Sequence, residues 1–325
     1  MVKVFYATDR SVSSLQPLSY GPSRGAAALA YGRFDVSVPK DHRLANIERP
    51  SIWRLEFSED PNKHFVIVAR TPEAEQVFYR DVSRVVGSSA RKEAFVFIHG
   101  FNVAFEDAVY RTAQLAYDLE FPGAAILYSW PSNGSLADYV GDLNNNDWTV
   151  RHLKGFLESI AQQTGARTVH LIAHSMGNRA LANALSQIAE APHPAGALPH
   201  FRQVILTAPD IDTDTFKALA RSMASTADRV TLYASSEDKA LRLSKTLNGY
   251  PRAGDAAAGI LIVSGIDSVD ASAVDTDFIG HSYYGDRGSI LSDMHGLITI
   301  GSPPQHRSRL REVTLPAGNY WKFEP

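Results

Sequence analysis

Cysteine is absent from the 325 residues. That excludes disulfides, a cysteine nucleophile, cysteine-ligated zinc and iron–sulfur clusters. A basic excess is absent too. Lys and Arg number 32 against 35 Asp and Glu, a formal charge of −3, which leaves no surplus to neutralise nucleic-acid phosphates. Long apolar runs are missing: the longest mostly apolar stretch, Ala256 to Ile266, falls far short of the roughly 18 residues of a membrane helix. The opening MVKVFYATDR lacks a basic segment followed by an apolar one and reads as a strand rather than an export signal. The expectation is a soluble chain, cytoplasmic by default. Gly (22) and Pro (17) are near average, which excludes collagen-like and long disordered chains. There is no fixed-period repeat.

What is present divides into two parts. Residues 1–90 are β-rich, with strand-like segments at Val2 to Ala7, Tyr31 to Val38, Ile52 to Phe57 and His64 to Ala69. Ser11 to Ala30, rich in Ser, Gly and Pro, reads as loop, and Pro72 to Ser89 as a helix. From residue 91 onward, apolar strands alternate with helices. AFVFIH (Ala94 to His99), GAAILYS (Gly123 to Ser129), TVHLIA (Thr168 to Ala173), QVILTA (Gln203 to Ala208) and RVTLYA (Arg229 to Ala234) are continuous runs of the kind buried on both sheet faces. Helical periods lie between them, such as Phe105, Ala108, Val109, Ala113, Ala116 and Leu119. A last strand falls within Gly259 to Ser272. The spacing predicts a mostly parallel central sheet with helices on both faces. One domain is expected over 1–325, with 1–90 as an N-terminal extension and 91–325 as the core. In such a sheet, chemistry collects at the carboxyl ends of the strands.

At one such end lies Ala173-His-Ser175-Met-Gly177. A serine between strand and helix, with small residues two before and two after, is the pattern of a nucleophile elbow. The turn is so sharp that larger side chains would strike the neighbouring strand and helix. Ala173 stands where Gly is usual. Serine is a poor nucleophile at neutral pH, so it needs a base and a group to orient that base. The bland alternative is that Ser175 only caps the helix.

His99-Gly100-Phe101-Asn102 follows the strand two before the elbow strand, where the second oxyanion donor belongs. The expected donors are the backbone N–H groups of Phe101 and Met176. His99 and His174 read as structural. In chain order the acid and then the histidine should follow the serine. His281, in the loop after the last strand, is the expected base, with His295 as its rival; His193 and His200 come too early, and His306 sits in a polar tail. The expected acid is Asp238, just past Arg229 to Ala234. Its alternative use is to cap the helix Lys239 to Leu247, and Asp210, Asp212 and Glu237 are rivals. Phe101, Trp130, Tyr283 and Tyr284 flank the site and are candidate substrate-binding aromatics, although core packing explains aromatics equally well.

The motifs FYATDR, YGRFDVSVP, FIHGFN, YSWPSNG, LIAHSMGNRAL, APDID, LYASSEDKAL and HSYY together resemble a group of bacterial α/β-hydrolases in the esterase/lipase superfamily, classed as a domain of unknown function. The resemblance implies the α/β-hydrolase fold and a serine-esterase triad. It also implies that APDID is a recurrent structural turn, which supports Asp238 as the acid. Members often carry an export or lipoprotein signal.

No segment is long or apolar enough for a large lid. The longer loops are Trp130 to Asp147, Glu190 to Arg202 and Ser272 to Gly288. Asp142 to Asn146 looks superficially like a calcium loop, but Asp147 stands where Gly is needed and Leu153 where Glu is needed. The histidines show no metal spacing, so neither cofactor nor metal is expected. The sequence reading is a hydrolase of short- to medium-chain carboxylic esters, a small-molecule substrate being the expected partner. Thioesterase, acyltransferase and amidase chemistry use the same residues, and a non-catalytic scaffold on this fold is the rival from another class. Oligomeric state is not legible.

Overall fold

The computed structural model describes residues 1–26, 28–50, 56, 58–133, 138–193, 198–274 and 288–324. Its strands in chain order are β1 (Val2–Thr8), β2 (Arg10–Leu15), β3 (Leu18–Arg24), β4 (Ala30–Ser37), β5 (Val66–Glu73), β6 (Glu93–Ile98), β7 (Ala124–Ser129), β8 (Thr168–His174), β9 (Phe201–Thr207), β10 (Ala227–Ala234), β11 (Asp267–Asp270), β12 (Leu310–Leu315) and β13 (Gly318–Phe323). The helices are α1 (Glu75–Ser88), α2 (Phe105–Asp118), α3 (Tyr139–Gln163), α4 (Gly177–Glu190), α5 (Thr213–Ser225), α6 (Lys239–Asn248) and α7 (Gly288–Thr299).

An 11-stranded sheet runs β12-β13-β11-β10-β9-β8-β6-β7-β1-β4-β5. From β13 through β1 every neighbouring pair is parallel. Antiparallel pairs close both edges, β12 on β13 at one and β1–β4–β5 at the other. The strand side chains explain why helices cover both faces. Along β6, Ala94, Val96 and Ile98 join one core with α1, α3, α4 and α5, whereas Phe95 and Phe97 join the opposite core with α2 and α7. All six β6 residues are buried, so no polar alternation can appear.

The connections then locate the site. From β6 the chain passes through α2 to β7 on one side, and from β7 through α3 to β8 on the other side of β6. The winding reverses there. A crevice opens at such a switch point, outside the carboxyl ends of the flanking strands. The ends of β6 and β8 carry His99–Asn102 and Ser175.

Several expected boundaries are corrected. Ser11 to Ala30 is largely a hairpin, not a loop: β2 and β3 pair as a separate two-stranded sheet. Exposed, half-buried and buried residues mix along its strands and their register shifts, so no clean alternation marks them. Only Tyr20 is anchored in aromatic packing, against Tyr6 and Phe105. β5 begins at Val66 and extends through charged residues to Glu73, which an edge strand tolerates. The tail holds β12 and β13. Helix α3 begins at Tyr139, so Asp142 to Asn146 is helical rather than loop. The strand expected at Ile52 to Phe57 falls almost wholly outside the described residues. Among the described residues no helix is long and apolar enough to cross a membrane.

Candidate active site

Strand β8 enters a turn at Ser175, and α4 starts two residues later. Ser175 has φ +49°, a left-handed conformation that costs an L-residue roughly 1–2 kcal/mol. It persists because its neighbours fix it on every side. Its N–H donates to Thr207 O at 3.0 Å, and its carbonyl accepts from Asn178 N–H at 3.1 Å and Asp210 N–H at 3.2 Å. The Asn178 side chain ties the turn again, donating to Ser175 O at 3.0 Å and Thr207 O at 2.9 Å. Strain held in this way is characteristic of functional positions. Ser175 itself is neither buried nor fully exposed.

The small residues have a steric cause. A Cβ on Gly177 would lie 2.3 Å from His99 O and 2.7 Å from Ile98 O. Ala173 has no exposed surface and sits opposite Ile98, so its methyl is accommodated without opening the turn. Gly100 is equally constrained: a Cβ there would stand 2.8 Å from His174 Nδ1 and 3.0 Å from Ser175 Cβ. The His99–Asn102 loop therefore passes directly against the serine. Asn102, at φ +57°, completes its turn. Phe101 follows Gly100 in this loop, and Met176 occupies the helix N-cap position at φ −63°. Asn146 of α3 donates its side-chain N–H to Met176 O at 3.1 Å.

His99 is buried behind this loop. Arg10 Nη2, which only donates, lies 3.2 Å from His99 Nε2. Nε2 is therefore an acceptor, and Nδ1 carries the hydrogen it donates to Gly100 O at 2.8 Å. Burial first, and the Arg10 charge second, hold its pKa well below the ordinary value, so His99 is neutral and structural. Trp130 corrects its expected role. It is fully buried, stacks on His99 at 5.2 Å and donates its indole N–H to His99 O at 2.8 Å. It supports the loop from inside and offers no surface to a substrate. Phe101 is half-buried, with its ring 5.3 Å from that of Tyr139.

His174 faces the Gly100 position with its Nδ1, 2.8 Å from where a Cβ would stand. It lines a small, largely apolar cavity with Thr207, Ala208, Tyr233, Ala234, Ser235 and Ile290. Burial lowers its pKa to about 3, which keeps the imidazole neutral.

The acids separate by what they already hold. Asp210 is buried and engaged: it accepts from Tyr139 OH at 2.9 Å and Ser244 OH at 2.6 Å, with Arg252 Nε 3.2 Å away. Asp212 caps α5 through Thr215 N–H at 2.9 Å. Asp238 caps α6, accepting Leu241 N–H on Oδ1 at 2.9 Å, so the capping use foreseen for it is real. Glu237 is exposed. His193 donates to Ile188 O at 2.8 Å at the end of α4, and His200 pairs with Asp228 near the amino ends of β9 and β10. His295 lies within α7, and His306 in the short 3-10 helix Pro304–His306. His281, Tyr283 and Tyr284 lie outside the described residues.

Arg10 and Ser132 carry no role in the sequence reading, and Asp142 appears there only in a rejected calcium loop, yet the three build the floor of the loop. Asp142 accepts from Ser132 OH at 2.7 Å and Asn133 N–H at 2.9 Å. Burial raises its pKa, against the pull of those hydrogen bonds and of Arg10. Among the described residues no group of three His, Asp or Glu is placed to hold a metal ion.

A doubly covered parallel sheet, with a strained serine elbow at its switch point, defines an alpha/beta hydrolase. The chain belongs to the alpha/beta hydrolases of unknown function designated DUF900, whose family profile matches residues 74–299. None of the curated proteins matches it.

Proposed function

We propose that the protein is a serine hydrolase of carboxylic esters with short- to medium-chain acyl groups. The observation that carries the reading is Ser175 at φ +49°, on a strand-to-helix turn pressed against Gly100. A serine that only capped a helix would have extended backbone and would require neither the strain nor the two close glycines.

In this reading Ser175 Oγ attacks the ester carbonyl while its proton passes to His281. The carbonyl oxygen gains charge and is held by the N–H groups of Phe101 and Met176, beside the positive end of α4. The tetrahedral centre collapses, the C–O bond to the alcohol breaks, and His281 returns the proton to the leaving alkoxide. Water then attacks the acyl-enzyme, giving its proton to His281, and Ser175 leaves with that proton as the acid departs. Asp238 is the proposed acid that holds the imidazole tautomer and stabilises the imidazolium. Supporting this choice over Asp210, the latter's carboxylate is taken up by Tyr139, Ser244 and Arg252. Phe101, edge-on to Tyr139, is the proposed wall of the substrate site, with Tyr283 and Tyr284 as further candidates.

The test is p-nitrophenyl ester hydrolysis, acetate through dodecanoate, together with fluorophosphonate labelling of wild type and Ser175→Ala. Hydrolysis of the shorter esters and labelling, both lost in the variant, are expected. Activity that survives in Ser175→Ala would move the nucleophile elsewhere. A folded wild type that neither hydrolyses nor labels would favour a scaffold.

A further inference from the structure

The loop that meets Ser175 is held from behind by a buried cation. Arg10 opens β2 and is only 3% exposed. Its guanidinium spreads over three segments. Nε donates to Ser129 Oγ at 2.9 Å, at the end of β7. Nη1 donates to Gly21 O in β3 and to Ser132 O, each at 3.3 Å. Nη2 donates to Val103 O at 2.7 Å and lies 3.2 Å from His99 Nε2. These acceptors are carbonyls, a hydroxyl and an imidazole.

A guanidinium out of water costs several kcal/mol unless its donors are met. The acceptors here cannot drift without leaving donors unpaired in the interior. The clamp is also placed to matter. His99 and Val103 flank Gly100-Phe101-Asn102, one on each side, so two contacts of a single nitrogen grip both ends of that tripeptide. His99 passes the constraint onward through its Nδ1–H to Gly100 O. Ser132, whose carbonyl Arg10 holds, accepts Val103 N–H at 3.4 Å and donates to Asp142. Thr8 strengthens the root, donating to Ser129 O at 2.7 Å and accepting Arg10 N–H at 3.1 Å.

We infer that Arg10 is a positioning residue for catalysis: its planar fork fixes the Gly100–Asn102 turn and so sets where the Phe101 N–H stands relative to Ser175. The inference rests on the proposed role of Ser175. It also gives the N-terminal β-rich part a task in the chemistry, although the matched family segment begins only at residue 74. A lysine cannot substitute, because one ammonium on a flexible stem cannot span acceptors on three segments.

The experiment compares full-length wild type, Arg10→Lys and Ser129→Ala. The readouts are kcat and KM on p-nitrophenyl butyrate, the fluorophosphonate inactivation rate, and hydrogen–deuterium exchange of the peptide covering residues 99–104. Arg10→Lys is expected to lower kcat and the inactivation rate at least about tenfold, part of the 10²–10³ lost when an oxyanion donor is removed outright. KM should stay within about threefold, since ground-state binding does not use that donor. Exchange should rise in 99–104 and not in the α4 peptides. Ser129→Ala, which removes the acceptor of Arg10 Nε and the hydroxyl that donates to His99 Nε2 at 3.0 Å, loosens the same clamp and is expected to lower kcat about two- to fivefold with KM unchanged. A folded Arg10→Lys with wild-type kcat overturns the inference, and so does a rise in KM alone. If Arg10→Lys does not fold, Ser129→Ala decides, and wild-type kcat in it overturns the inference. An inactive, unlabelled wild type removes the proposed function and this inference with it, whereas an active wild type with unaffected variants removes this inference alone.

Discussion

Gly177 and His99 approach so closely that a Cβ on the glycine would stand 2.3 Å from the histidine carbonyl oxygen. The contact joins the first turn of α4 to the end of β6 and brings the serine turn against the His99–Asn102 loop. Its partner atoms are backbone, the Ile98 carbonyl included, so no flexible side chain can swing aside. Gly177→Ala is therefore expected to cost about 3 kcal/mol, at the upper end for overpacking. Urea denaturation measures it, and a loss below about 1 kcal/mol would mean that α4 shifts freely on β6.

The strain at Ser175 predicts an unusual ordering of two inactive variants. Alanine at φ +49° keeps the clash between Cβ and carbonyl, whereas glycine does not have it. Ser175→Gly is expected to be more stable than Ser175→Ala by about 1 kcal/mol, with ester hydrolysis absent from both. The reverse order in urea midpoints would show that the turn relaxes when the serine is removed.

A substitution at Gly100 is expected to affect stability weakly and labelling of Ser175 strongly. A Cβ there meets His174 Nδ1 at 2.8 Å and Ser175 Cβ at 3.0 Å, so the loop must retreat from the serine. Gly100→Ala is expected to stay folded at a cost of about 1–2 kcal/mol. Its fluorophosphonate labelling should slow at least about tenfold, because small misplacements at a reacting centre cost orders of magnitude. Labelling at the wild-type rate would separate this loop from the reaction.

The parts of the fold legible in the sequence are those where burial leaves a simple trace. β6 and β7 are buried along their whole lengths, and the apolar runs at 94–99 and 123–129 mark them within a residue. α2 lies within one residue of its period, from Phe105 to Asp118. The Ser175 turn was legible because its steric demand falls on adjacent residues. Other features depend on contacts far apart in the chain. Trp130 reads as a rim aromatic until His99 is seen stacked on it. Arg10 looks like any charged residue at a strand end, and its acceptors lie as far away as Ser132. β2 and β12 carry few buried apolar side chains, so apolar periodicity has little to register there, and in β13 only the short alternation of Trp321 and Phe323 is buried. Asp142 falls within the expected loop Trp130 to Asp147, whereas it stands in the first turn of α3, held by Ser132 and Asn133.

Far from the serine, His42 bridges two carboxylates, with Nδ1 2.9 Å from Glu48 and Nε2 2.7 Å from Asp118. This ties the segment after β4 to the end of α2, and Ala45 N–H adds a bond to Asp118 at 2.7 Å. Burial alone would lower the His42 pKa, but the hydrogen bonds and charges of Asp118 and Glu48 outweigh it and raise it to about 9. Glu48 is likewise opposed by burial, yet its bonds to His42, Arg43 and Asn46 bring it to about 2. The raised histidine contributes its full stability below the unfolded value of 6.5. Above that the unfolded chain sheds the proton first, and the contribution is gone once pH passes about 9. The depressed Glu48 contributes fully above 4.5 and loses its share as pH falls through about 2. The strut is thus strongest between those limits, near pH 5–6. Compared with His42→Gln, wild type should lose on the order of 2–3 kcal/mol of its advantage between pH 6 and pH 10. Urea midpoints of both proteins at the two pH values measure this. A difference that is constant with pH would mean that His42 titrates in the folded protein as it does in the unfolded chain.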